Sequence, residues 1–208
     1  MTWEPDYVTS AELKAELRIS DAVDDTQIAR WVTAASRAVD NWCHRQFGQV
    51  AAPEARTYRT ADWDRHIGAY VLDVDDFYTI TGLVVTDPGG TAVAAADYEL
   101  LPDNALLKGK VYERILVKSS GKFTVTAAWG WSAVPTSIKV ATLLQAVRLS
   151  ARRDSPYGVA GSPSEGSELR LLARVDPDVE VVIGKKFRRE WWAVGSPSTP
   201  RTQSWWGW

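Results

Sequence analysis

Sulfur and imidazole are scarce in this chain: its 208 residues include one cysteine, one methionine and two histidines. Cys43 alone cannot form an internal disulfide, which suits a reducing compartment. His44 and His66 stand in no His-Glu-x-x-His pattern and beside no Cys-x-x-Cys pair, so the spacings that build a zinc site are missing. Both are expected as surface or half-buried side chains. There is no Gly-rich phosphate loop and no Gly-x-Ser-x-Gly elbow. Without a nucleophile set beside a base, no catalytic residue, cofactor or metal is expected, and the chain reads as a non-enzyme. No apolar run approaches the roughly 20 residues that span a bilayer, so no membrane association is expected. The N-terminal Met1-Thr2-Trp3-Glu4-Pro5-Asp6 lacks the basic and apolar regions of a signal peptide, which implies use without secretion. A net charge of −2 gives the whole molecule no basic face for wrapping nucleic acid.

What the chain has is tryptophan, 11 residues of 208, in an otherwise ordinary globular composition that is 45% hydrophobic and 24% charged. Each indole can bury roughly 200 Å², worth on the order of 5 kcal/mol before entropy is subtracted. So many large rings need either a core or a partner.

The elements follow from capping and periodicity. Thr9-Ser10-Ala11-Glu12 has the capping-box form and predicts a helix at about 9 to 18, with Leu13 and Leu17 on its apolar edge. Asp24 or Asp25 is expected to cap a longer helix in which Ile28, Val32, Ala35, Val39 and Trp42 recur at three-and-four spacing, with Gly48 as its stop. From about 55 to 131, short β-branched and aromatic runs alternate with Gly, Pro, Asp and Asn, which predicts strands at 57–60, 69–72, 80–86, 98–101, 111–117 and 122–128 in a small, mostly antiparallel sheet. Pro135 starts a helix expected to run to about 153, where Ser155-Pro156 and Gly158 forbid continuation. Residues 157–168, rich in Gly, Ser and Pro, are expected to form a mobile loop. Asp176-Pro177-Asp178 begins a short element through Val179, Val182, Ile183 and Phe187. The expected fold class is α+β. A helical core of 1–54 and 132–190 is interrupted by a β-rich insertion at 55–131 and followed by a flexible Trp-rich tail at 191–208.

Four clusters invite a functional reading. Asp73, Asp75 and Asp76 could gather a divalent cation, but they lack the glycine and distal glutamate of a calcium loop and read first as a solvated turn. Arg148, Arg152, Arg153 and Asp154, with Tyr157 beyond them, form either a solvated helix end or a contact with carboxylates of a neighbouring copy. Lys185-Lys186 and Arg188-Arg189 could meet phosphate, with a solvated edge flanking Phe187 the simpler reading. Phe187, Trp191, Trp192, Trp205, Trp206 and Trp208 are candidates for docking on another protein, because exposed indoles mark binding hot spots.

The ordered motifs resemble the tailed-phage head–tail connector, or adaptor, family. They are the capped segment Val8 to Lys14, the helix Asp25 to Cys43, Phe123 to Trp131, Val134-Pro135, Arg152 to Val159 and Asp176 to Val179, which together cover most of residues 6 to 180. The resemblance implies a structural subunit of the virion neck, made in the bacterial host cytoplasm. About a dozen copies would form a homo-oligomeric ring under the portal protein, extend the DNA channel without sequence-specific binding, and dock a downstream neck or tail protein. The C-terminal segment would then reach the portal. The β-rich insertion and the Trp-rich end depart from that pattern. A carbohydrate-binding or tail-associated module, with tryptophans stacked on sugar rings, is the alternative of a different class.

Overall fold

The computed structural model describes residues 4–153, 159–160, 169–170 and 177–189. The fold is α+β. Helices α1 (Ser10–Leu17) and α2 (Asp25–Cys43) precede strands β1 (Glu54–Arg59), β2 (Trp63–Asp64), β3 (Ala69–Phe77), β4 (Val84–Thr86), β5 (Tyr98–Leu101), β6 (Tyr112–Val117) and β7 (Lys122–Ala127). Helix α3 (Thr136–Ala151), a two-residue pair β8 (Val159–Ala160) and β9 (Leu169–Arg170), and helix α4 (Pro177–Ile183) follow. No helix among the described residues is long and apolar enough to cross a membrane.

The helix starts behave as side-chain chemistry dictates. Thr9 Oγ1 accepts from the Glu12 N–H while Glu12 Oε2 accepts from the Thr9 N–H, at 3.1 and 2.6 Å, which completes the capping box of α1. That backbone donor holds the Glu12 carboxyl below its usual range. Asp24, expected as a cap, makes no side-chain cap bond to α2; its carboxylate lies 3.0 Å from Arg153 Nη1 instead. Pro135, expected at the first helical position, is the N-cap residue of α3 instead, and the helix begins at Thr136.

Strands β1 to β7 form two antiparallel sheets rather than one, ordered β1-β7-β4 and β2-β3-β6-β5, and these two sheets enclose a common core. Alternation decides which side chains enter it: Phe123, Val125 and Ala127 point inward from β7, and Leu72 and Val74 from β3. Strand β3 runs to Phe77, past the expected end at Leu72, and an irregularity in its pairing with β6 falls between Asp73 and Phe77. The run expected at 80–86 keeps strand geometry only at Val84–Thr86.

A second cluster joins helices to sheets. Tyr7, Val39, Cys43 and Phe47 meet Val111 and Trp131 from the β region and Ile138, Val179, Ile183 and Phe187 from the C-terminal part. Side chains from the helical part and from the β region thus share one core. A third cluster, including Leu13, Ile28, Val32, Ala35 and Ala146, binds α1, α2 and α3 together. Cys43 is buried, and burial pushes its thiol up to about 12, which makes it a packing residue.

Tyr7 ties the N-terminal segment to this junction. Its N–H donates to Ser36 Oγ at 3.1 Å, its hydroxyl accepts from the Phe47 N–H at 2.8 Å, and the same hydroxyl donates to Asp40. Burial lifts the Asp40 carboxyl to about 6, opposed by the Tyr7 hydroxyl and by Arg37 at 3.2 Å. A raised folded-state pKa means that the folded protein holds this proton more tightly than the unfolded chain does. Asp40 thus contributes stability that is full below about pH 4 and is lost as pH rises through 6. Urea unfolding of wild type and Asp40→Asn should show the stability of the wild type relative to the variant falling between pH 4 and 6. A difference that grows over that interval contradicts the assignment.

Candidate docking and subunit-contact surfaces

The aspartate run, expected as a solvated turn, is an ionic clasp. Asp73, Asp75 and Asp76 lie on β3 and each meets an arginine: Arg114 Nε at 3.1 Å, Arg56 Nη1 at 2.7 Å and Arg45 Nη1 at 3.3 Å. Asp76 stands at an inner-face position after Leu72 and Val74 and is 4% exposed, which overturns the solvated-turn reading. Burial raises its pKa, against Arg45, Arg189 and the Trp131 indole, whose Nε1–H donates to Asp76 Oδ2 at 2.9 Å. Arg45 also reaches Glu113 at 2.6 Å. No group of three potential metal ligands occurs among the described residues.

Arg189 closes the clasp from the C-terminal side. Its guanidinium donates to the carbonyls of Val74 and Glu113 at 2.6 and 3.1 Å, and its backbone N–H donates to the Cys43 carbonyl at 2.8 Å. It is not part of a solvated edge. Phe187 beside it is 7% exposed, with ring centroids 6.0 Å from Phe47 and 5.8 Å from Trp131. The docking role expected for Phe187 is corrected by this packing: the ring fills the chain's own helix–sheet junction. The pattern Phe-x-Arg following a basic pair carried no signal of this, because the carbonyl partners of Arg189 lie 115 and 76 residues away.

The guanidinium cluster at the end of α3 is also engaged within the chain. Arg153 pairs with Asp24 at the start of α2, an exposed ion pair of the kind that contributes at most about 1 kcal/mol. Arg148 and Arg152 are half-buried and have partners within the chain. Asp154, Tyr157, Trp191, Trp192, Trp205, Trp206 and Trp208 lie outside the described residues, as do the expected mobile loop at 157–168, apart from its strand residues, and the Trp-rich tail.

Helix α3 also exposes two apolar side chains. Ile138, Ala141, Thr142 and Ala146 face the core, while Val140 and Leu144, one turn apart, are 43% and 38% exposed. On α4, Val181 is 80% exposed although Val179 and Ile183 are buried. Periodicity alone missed this edge, because α3 is apolar on more than one face.

Trp129 and Trp131 are buried, Trp31 and Trp42 are half-buried against the helical clusters, and Trp63 alone among the described tryptophans is exposed, at 46%.

No family model and no curated protein matches the chain. Among solved structures, it is similar to a chain described as "Neck of empty GTA particle computed with C6 symmetry". That chain is 18% identical, with 90% of this chain and 93% of that chain covered and a TM-score of 0.49.

Proposed function

We propose that this chain is a structural neck subunit of a tailed-phage-type particle, an adaptor that forms a ring beneath the portal, lines the DNA passage and receives the tail. The observation that carries the reading is the pair of exposed apolar side chains Val140 and Leu144 on α3, the helix that follows the connector-like Val134-Pro135. An exposed apolar helix edge suits a heterologous contact repeated around a ring, where symmetry multiplies a modest pairwise affinity. The ionic clasp supports this by making one body of helices and sheets, which lets the edge be presented in a fixed orientation. The task needs binding and no catalysis.

Mixing the protein with its portal and weighing the product by native mass spectrometry tests the reading. Wild type is expected to add as a ring of copies, and the doubly charged-edge variant Val140→Glu/Leu144→Glu is expected to remain monomeric with an unchanged thermal midpoint. Equal assembly of wild type and variant, or no association of wild type with the portal, overturns it.

A further inference from the structure

A cleft of about 220 Å³ opens beside the ionic clasp, and its lining is six cations against the single carboxylate of Glu113. In a chain of net charge −2 this is a strong local concentration of one sign. The cations come from three separate places in sequence: Arg45 after α2, Lys110 and Arg114 at β6, and Lys185, Lys186 and Arg188 after α4. Two of them already have carboxylate partners, Arg45 with Asp76 and Glu113, and Arg114 with Asp73. The other four have no carboxylate partner among the described residues. Lys186 Nζ and the Arg188 guanidinium instead lie over the rings of Phe187 and Trp42, at 5.2 and 4.7 Å.

We propose that this cleft binds a phosphodiester backbone. Four unneutralised cations held around one opening repel each other, and a polyanion relieves that repulsion while releasing its own counterions. Three of the four are lysines, whose compact ammonium groups suit phosphate oxygens as point charges, whereas the guanidinium forks suited to paired carboxylates are engaged internally or stacked on an indole. The inference does not rest on the ring; a single copy suffices for it.

The experiment is fluorescence anisotropy of a labelled duplex DNA of random sequence against the full chain. Binding is expected at low salt, with log K falling against log salt at a slope of about −2 to −4, as for two to four phosphate contacts. Lys110→Glu/Lys185→Glu should weaken binding at least about tenfold, and Lys110→Arg/Lys185→Arg should retain it, with the same thermal midpoint in all three proteins. Inorganic phosphate should compete only at millimolar concentration or above. Absence of binding at low salt, or affinity untouched by the double glutamate variant, overturns the proposal. So does tighter binding of poly-glutamate that the same variant abolishes, which would reassign the cleft to an acidic protein segment.

Discussion

Gly130→Ala should remove about 4 kcal/mol or more of folding stability, the largest loss expected from any single methyl group added to this protein. Gly130 holds φ at +102°, and a Cβ built there falls 2.0 Å from the Gly48 carbonyl oxygen and 2.8 Å from Gln49 Cα. Both neighbours are backbone, fixed by the Trp131 N–H donating to that same Gly48 carbonyl and by the Gln49–Gly130 bridge. No side chain can swing away to relieve the clash, and the positive φ adds strain of its own. The glycine also lets its two flanking indoles serve different cores. Trp129 enters the core between the sheets and donates its Nε1–H to the Glu54 carbonyl at 2.7 Å, while Trp131 enters the helix–sheet junction. A residue with ordinary strand dihedrals would place both rings on one face. Denaturant titration of wild type and Gly130→Ala provides the check; a loss below about 1 kcal/mol contradicts the geometry.

Arg45→Met should cost about 3 to 5 kcal/mol, because it removes the main partner of a buried carboxylate. Asp76 would keep only the Trp131 indole and the more distant Arg189, 4.0 Å away. The deficit should shrink as pH falls, since protonating Asp76 removes the uncompensated charge, whose folded-state pKa is already raised by burial. Adding Asp76→Leu to Arg45→Met should restore much of the loss, as replacement of a whole buried pair by apolar groups commonly does. Equal deficits in the single and double variants, or a deficit independent of pH, would show that Arg45 acts through its packing alone. Unfolding free energies of the three proteins across acid to neutral pH decide between these outcomes.

The parts of the fold legible in the sequence were those specified locally. The Thr9–Glu12 box, the three-and-four spacing of Ile28 to Val39 and the β-branched or aromatic runs expected at 98–101, 111–117 and 122–128 carry their structure within a few residues, and the structure places elements there within a residue of those bounds. The aspartate run at 73–76 misled because aspartate disfavours strands on its own; three arginines from elsewhere in the chain override that preference. Phe187 and Arg189 misled in the opposite direction, as a hydrophobe flanked by cations reads as a surface edge until Cys43, Val74 and Glu113 are brought alongside. The arginines at the end of α3 were found by spacing, but whether they face a neighbour or their own chain depends on where α2 begins. The basic cleft is assembled from three distant segments, so only its last piece, the Lys185-Lys186 and Arg188 cluster, stood out beforehand.

The proposed neck role is tested most directly by a cryo-electron microscopy reconstruction of intact particles carrying this protein. Repeated density beneath the portal should accommodate the two-sheet body with α1, α2 and α3, with Val140 and Leu144 of one subunit against the next copy. Density for the chain elsewhere in the particle, or as isolated copies without a neighbour on α3, would contradict the account.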